Sequence, residues 1–344
     1  MARLGIIGAA DIAYRRFLPA LLKNSTFEYI GVGIADEQER YITPKEKIEC
    51  DYQGLREKSL EKAEQFMQQF GGKIYGSYNR LIESSEVEAV YIPLPPALHY
   101  IWAKKTLENG KHVLLEKPAT ISYEQTEELV HLARSKNLAL FENYMFLYHS
   151  QIETIKNIID SGEIGKVRLY RLAFGFPRLG EDNFRYSKKM GGGALLDAGG
   201  YTLKYARALL GDSAKIVYAN ANDDESCDVD IFGSAALVNE EGETVQVAFG
   251  MDNEYKCELE AWGSKGTLYT GRVFTAPEGL EIEVVISKNG EETKRILKSD
   301  NSFLNSIHQF SQCMLSEEVR EKEYENILTQ ARLVSEYKKL VHDM

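Results

Sequence analysis

The alternation that fills the first 145 residues constrains this chain most. Short apolar runs, each closed by glycine, proline or a polar residue, are separated by stretches of helical spacing, and that order builds parallel βαβ units. LGII (4–7) reads as the first strand, residues 12–22 as a helix, and YIGVGIAD (29–36) as a second strand buried on both faces. SLEKAEQFMQQFG is a helix stopped at Gly71. VEAVYIPLP (87–95), KHVLLEKP (111–118) and LALFENYM (138–145) repeat the strand pattern around the helices ALHYIWAKKTLENG and YEQTEELVHLARSKN.

The stretch GIIGAADIA (5–13) adds a chemical reading to the first of these units. Gly8 stands at the tight turn where the strand ends, Ala10 where a backbone must approach a pyrophosphate, and Ala13 where the helix packs on the strand. Asp11 is placed to cap the helix. With Ile12 it opens a turn whose free N–H groups and dipole bind phosphate whichever small side chain is present. The same residues also fit an ordinary strand-to-helix turn. Asp36, at the end of the second strand, would accept hydrogen bonds from an adenosine ribose and repel a 2′-phosphate, which favours NAD over NADP. Residues 37–57 are polar, acidic and aperiodic, far longer than the ~2 to 6 residues of a usual βα loop, and read as an insertion. Arg56 or Lys58, at its far side, would instead meet a 2′-phosphate.

After residue 145 the texture changes. KVRLYRLAFGFP, AKIVYANAN, VDIFGSAALVN, TVQVAFGM, KCELEAWG and LEIEVVIS read as strands joined by short polar turns, the pattern of a mostly antiparallel, open-faced sheet. GGYTLKYARALLG and ILTQARLVSEYKKLV are its helices. With 344 residues the chain exceeds one ordinary core. The predicted fold class is α/β plus α+β: a Rossmann dinucleotide-binding domain over 1–122 and an α+β domain for substrate binding and oligomerisation over 123–344, with the active site in the cleft between them.

Composition excludes several partners. A net charge of −11 without a Lys/Arg stripe argues against nucleic acid. No apolar run approaches the ~20 residues that cross a bilayer and no signal peptide opens the chain, so a cytoplasmic protein with no membrane partner is expected. Cys50, Cys227, Cys257 and Cys313 lie far apart without a C-x-x-C pair, and none of the histidines has H-x-x-x-H spacing. Free thiols and no metal site follow.

The glycine turn, then YIPLPPALH, HVLLEKP and GGGALLDAGGYT in that order, resembles the Gfo/Idh/MocA family of oxidoreductases over essentially the whole chain. The wording ENYMFLYHSQ, FGFP…NFRY and GGGALLDAGGYT is most similar to the family's sugar-nucleotide 3-ketoreductases and sugar dehydrogenases. The resemblance implies NAD or NADP as cofactor and hydride transfer between nicotinamide and a hydroxyl or keto carbon of a sugar or nucleotide-linked sugar. A homodimer or homotetramer is also implied.

Residue roles carry over with it. Lys117, of the E-K-P motif, would lie between nicotinamide ribose and reacting carbon, beside the family's special proline Pro118, with Glu116 lining the cofactor cleft. Leu94 and Pro95 would flank the nicotinamide ring and His99 pack on its ribose, although a histidine there fits a helix cap equally well. Glu142 and Asn143 would hold the carboxamide. Asp197 and Tyr201, four apart, would share one helix face. Tyr201 stands where most relatives carry histidine in D-x-G-x-H. Arg185 and Tyr186 are substrate candidates, with Arg185 reaching toward a diphosphate, or else part of a solvated loop.

The chemistry is coherent. An ammonium beside a carbonyl stabilises the oxyanion formed as hydride arrives, and a phenol of ordinary pKa ~10 needs such a cation to act as an acid near neutrality. Two rival functions fit the same fold: a glycosidase that retains NAD for a transient oxidation, and a catalytically silent sensor.

Overall fold

The structure is a computed structural model that describes residues 1–40, 52–180, 183–223 and 227–342. The middle of the expected insertion, residues 41–51 with Cys50, lies outside the described residues. The chain divides into two compact units: Met1–Asn143 with Phe303–Leu328, and Tyr144–Ser302 with Thr329–Met344.

In the first unit β1 (Ala2–Ile7), β2 (Phe27–Gly33), β3 (Lys73–Tyr75), β4 (Ala89–Ile92), β5 (His112–Leu115) and β6 (Leu140–Glu142) form one sheet in the order β3-β2-β1-β4-β5-β6. Every pairing is parallel. All four residues of β4 are buried, as a strand covered by helices on both faces requires. The strand order reverses between β1 and β4, and the carboxyl ends of strands flanking such a switch point are where open α/β sheets take their ligands.

The helices depart from expectation in detail. The segment expected as one helix from 12 to 22 is helical from 11 to 21, but with a π-helical turn, Ala13–Phe17, set into it ahead of α1 (Leu18–Leu21). The next helix, α2, runs Tyr52–Phe70, so it already covers the end of the expected insertion. β3 and α3 (Tyr78–Glu83) are too short to show a period and escape sequence reading. α4 (Pro96–Glu108) and α5 (Tyr123–Ser135) fall where expected.

This unit does not close at residue 122. It runs on through α5 and β6, because β6 is the edge strand paired with β5, and it takes in nearly all of α8 (Ser302–Leu315) and the first half of α9 (Glu317–His342). Phe310 of α8 stacks against Phe27 at 5.6 Å, and Arg134 of α5 donates to Glu321 at 2.9 Å. Arg320 of α9 is buried and reaches Asn137.

The second unit is built on eight strands. β7 (Val167–Gly175), β8 (Lys215–Asp223), β9 (Asp230–Val238), β10 (Thr244–Gly250), β11 (Lys256–Gly263), β12 (Thr267–Thr270), β13 (Ile282–Lys288) and β14 (Glu291–Leu297) order as β14-β13-β12-β11-β7-β10-β9-β8. All pairings are antiparallel except β10 with β7. Along β9, buried Ile231, Ala235 and Leu237 alternate with part-exposed residues, and α7 (Gly200–Leu210) packs on the β7 and β10 side. The other face carries exposed Tyr218, Trp262 and Tyr269. Among the described residues no helix is long and apolar enough to cross a membrane.

Candidate active site

Gly8 directly follows β1 with φ at +91°, a backbone region that favours glycine, and a Cβ there would stand 2.6 Å from Leu94 Cδ2. The turn therefore demands glycine at this one position. Ala10 N donates to Gly8 O at 3.0 Å and Tyr14 N to Ala10 O at 3.1 Å, which leaves the N–H groups of Asp11, Ile12 and Ala13 as the unsatisfied first turn of the helix. Asp11 does not cap that turn. Its carboxylate pairs instead with Lys62 of α2 at 3.1 Å, because the helix begins before a side chain at this position can fold back on it.

Leu94 and Pro95 follow β4, and Pro95 is the N-cap residue of α4, with no side-chain cap. His99 is therefore not the cap. It lies inside α4, fully buried, with Nδ1 2.7 Å from Pro118 O and Nε2 2.7 Å from Leu94 O. Burial drives its pKa down to about 4.

At the end of β5, Glu116 Oε1 accepts from Tyr91 Oη at 2.7 Å and from Asn143 Nδ2 at 2.8 Å. Burial raises the Glu116 pKa above the ordinary carboxylate range. Lys117 follows, joined to Pro118 by a cis peptide bond, and Glu142 Oε1 accepts from Ala119 N at 2.9 Å.

Asn143 is 1% exposed, and its Oδ1 meets no hydrogen-bond partner among the described residues. A buried acceptor left in that state costs about 1–3 kcal/mol. A primary carboxamide is a donor of the kind this oxygen lacks, and with the glycine cradle at Gly8 it makes the unit fit a nicotinamide dinucleotide.

Beyond β2, Asp36 Oδ1 accepts from Gln38 N at 2.9 Å and Glu39 N at 3.0 Å. Glu39, which sequence reading passed over, is buried and accepts from Asp36 N, Tyr78 N and Asn79 N, the last two at the start of α3. It occupies the anion position of that helix and clips the loop after β2 onto it. Arg56 Nη1 donates to Ala35 O at 3.2 Å, whereas Lys58 is exposed.

In the second unit the segment GGGALLDAGGY is packed backbone to side chain. A Cβ on Gly192 would stand 2.2 Å from Arg185 O, and one on Gly200 2.1 Å from Tyr144 Oη. Asp197 lies in a π-helical turn, Leu195–Gly199, that runs into α7, so the expected α-helical alignment of Asp197 with Tyr201 is altered by the wider turn. Arg185 Nε donates to Asp197 Oδ2 at 2.6 Å, with the two side chains 28% and 12% exposed. Tyr186 is buried, its hydroxyl spent on Leu179 N at 2.8 Å and Met251 O at 3.3 Å. Tyr201 is nearly buried in a ring of aromatics: Tyr144 and Phe174 at 5.2 Å, Phe146 at 5.6 Å and Phe274 at 6.2 Å, with its hydroxyl 3.9 Å from Met145 Sδ.

Asp230 supports this segment and was not singled out from sequence, because it reads as one polar residue in an alternating strand. Its Oδ2 accepts from Leu195 N at 2.7 Å, and burial raises its pKa.

Comparison with known proteins places these features in context. Residues 2–144 match the model of the oxidoreductase family with an NAD-binding Rossmann fold, and residues 152–269 that of the GFO/IDH/MocA C-terminal domain. The chain is 36% identical over 332 residues to a dTDP-3,4-didehydro-2,6-dideoxy-α-D-glucose 3-reductase from Actinomadura kijaniata, covering 96% of this chain and 93% of that one. It is 34% identical to the enzyme of the same name from Saccharopolyspora spinosa, over 90% of this chain and 86% of that one. A crystal structure of a 3-ketoreductase from A. kijaniata in complex with NADP and TDP-benzene superposes with a TM-score of 0.89 at 35% identity, covering 99% of this chain and 98% of that one. The expected preference for NAD finds no support: that neighbour holds NADP, and Asp36 Oδ1 is already engaged by two backbone N–H groups.

Proposed function

The chain belongs to the Gfo/Idh/MocA family of oxidoreductases, and from that premise we propose that it is an NAD(P)H-dependent ketoreductase acting on a keto carbon of a nucleotide-linked deoxysugar. The observation that carries this reading is the 36% identity, sustained over 96% of the chain, to a reductase named for the 3-keto group of a dTDP-linked dideoxyhexose.

When bound, the nicotinamide supplies the hydride. Lys117 polarises the carbonyl oxygen and stabilises the negative charge that develops on it, work that a fixed ammonium does best where water is excluded. The Tyr201 hydroxyl donates the proton that turns this oxygen into the product alcohol, and solvent then restores the phenol. The aromatic ring around Tyr201 holds its hydroxyl in one direction. Asp197, fixed by Arg185, orients the sugar hydroxyls, and Asn143 Oδ1 would accept from the carboxamide of a bound nicotinamide. Arg185 serves the substrate through Asp197, and Tyr186 serves it by holding the loop around residue 179.

Absorbance at 340 nm tests the proposal directly. With a dTDP-linked 3-keto-6-deoxysugar the reduced nicotinamide should be consumed, and with free aldoses or p-nitrophenyl glycosides it should not. Hydrolysis of a glycoside without net cofactor turnover would favour the glycosidase, and binding of sugar nucleotide with no turnover would favour the sensor.

A further inference from the structure

A cavity of about 570 Å³ in the second unit has no part in the mechanism above. It opens between α6 (Ser150–Asp160), the start of β7 and the far end of α7. We infer that it is a second binding site, separate from the candidate active site, for a one- or two-ring carboxylic acid that carries a hydroxyl or keto oxygen at its opposite end. The inference stands on the cavity alone and goes beyond the oxidoreductase reading.

The floor carries the argument. Tyr170 of β7 and Tyr205 of α7 both line the cavity and are only 5% and 2% exposed, yet neither hydroxyl has a hydrogen-bond partner among the described residues. A phenol this deeply buried ordinarily finds one, because its O–H has lost most of its water. Burial pushes the Tyr170 pKa up to about 12 and moves Tyr205 the same way, so both rings stay protonated and offer O–H donors. They are near enough that a charge on Tyr170 would raise Tyr205 further. Two neutral donors at one floor call for an acceptor oxygen.

The walls and mouth supply the rest. Buried Val167 and part-exposed Ile152, Ile159 and Leu209 give apolar sides that suit a ring. At the mouth, exposed Lys156, Lys166 and Lys265 face two carboxylates, and both of these are already engaged: Asp160 by Lys156, and Glu243 by Asn239 Nδ2 at 2.9 Å. The Lys166 and Lys265 ammonium groups meet no partner among the described residues. Their two turns are tied together, Ser264 N donating to Lys166 O and Lys265 N to Ile164 O at 2.9 Å each. Gly165 permits that approach, since a Cβ there would stand 2.4 Å from Ser264 Oγ at a φ of +74°. Donors at the floor, apolar sides and free cations at the mouth complement an anion with an apolar body. Tyr201 does not line this space. Phe146 packs on Tyr201 at 5.6 Å and on Tyr205 at 5.8 Å, and Phe274 at 6.2 and 6.1 Å, so the two sites share a wall.

Fluorescence anisotropy of 6-hydroxy-2-naphthoate, titrated with the full chain, tests this without reference to turnover. Saturable binding with a Kd below about 1 mM is expected. 2-Naphthoate, which lacks the hydroxyl, and 2-naphthol, which lacks the carboxylate, should each bind about fivefold or more weakly. Tyr170→Phe and Tyr205→Phe each remove one donor and keep the ring. Either should weaken the hydroxynaphthoate about fivefold and leave 2-naphthoate within about twofold. Lys166→Gln combined with Lys265→Gln should weaken both acids and spare 2-naphthol. Circular dichroism checks that each variant is folded, and saturating NADPH and dTDP should not displace the acid. The inference is overturned if neither 6-hydroxy-2-naphthoate nor 4-hydroxybenzoate, the latter followed by ligand-observed NMR, binds saturably up to about 5 mM. Equal binding of 2-naphthoate, unchanged affinity in both folded tyrosine variants, or displacement by dTDP would overturn it as well.

Discussion

His99 and Pro118, nineteen positions apart in sequence, are tied by a 2.7 Å contact from the imidazole Nδ1 to the proline carbonyl, while Nε2 of the same ring reaches Leu94 O at 2.7 Å. One buried side chain therefore spans the loops after β4 and β5, and the residue next to Pro118 is Lys117. His99→Leu should lower kcat about tenfold or more by letting Lys117 drift, with a much smaller change in sugar KM. His99→Gln, which restores one donor, should recover part of the loss. Steady-state kinetics on the three proteins decide it, since loss of bulk stability alone would not separate kcat from KM.

Acid should destabilise the fold over a defined window. Burial lowers both His99 and His112 from 6.5 to about 4. Between those values the unfolded chain binds protons that the folded chain refuses, so stability is full above pH 6.5 and is lost as pH falls toward 4, by roughly 3 kcal/mol per histidine. His112 Nδ1 also accepts from Ala139 N at 2.9 Å, a bond that protonation would break. Urea midpoints measured from pH 7.5 to 4 should fall accordingly, and His112→Gln should flatten the curve.

The proposed acid and electrophile should separate chemistry from binding. Tyr201→Phe keeps the ring among Tyr144, Phe146 and Phe174 and should leave Tm within about 2 °C, yet lower kcat by about 10² or more. Lys117→Ala should lower kcat/KM by about 10² to 10³. Reduced-nicotinamide fluorescence should show cofactor still bound by both variants. Undiminished kcat in either would remove that residue from the mechanism.

Gly8→Ala should act on the cofactor rather than on the sugar. The new methyl would meet Leu94 Cδ2 at 2.6 Å in a backbone conformation of φ +91°, so the phosphate turn must shift. A rise of about tenfold in nicotinamide Kd is expected, read from fluorescence titration. Unchanged affinity would mean that the turn does not hold the pyrophosphate.

What could be read from sequence follows the range of the interaction involved. Strands of four or more apolar residues, such as Ala89–Ile92, and the E-K-P and GGG segments declare themselves locally. β3, of three residues, gives no usable period, and neither does exposed β14, EETKRIL, whose side chains alternate between no core and solvent. Glu39 escapes sequence reading because nothing near it announces that its partners are Tyr78 and Asn79, at the start of six-residue α3. Asp11 reads as a cap because its partner in the structure, Lys62, is fifty-one positions away. The return of residues 303–328 to the first unit is equally invisible to any local pattern.

That return has a consequence for biosynthesis. Asn137 and Arg134 wait for Arg320 and Glu321, so the nucleotide-binding body lacks part of its own wall until residues 303–328 have been translated. Domains commonly fold as they leave the ribosome, amino-terminal first. Here the unit that holds residues 1–143 is finished only after residues 144–302 of the other have been made, and a transcript truncated near codon 300 would yield a nascent chain whose dinucleotide half is left open to proteolysis.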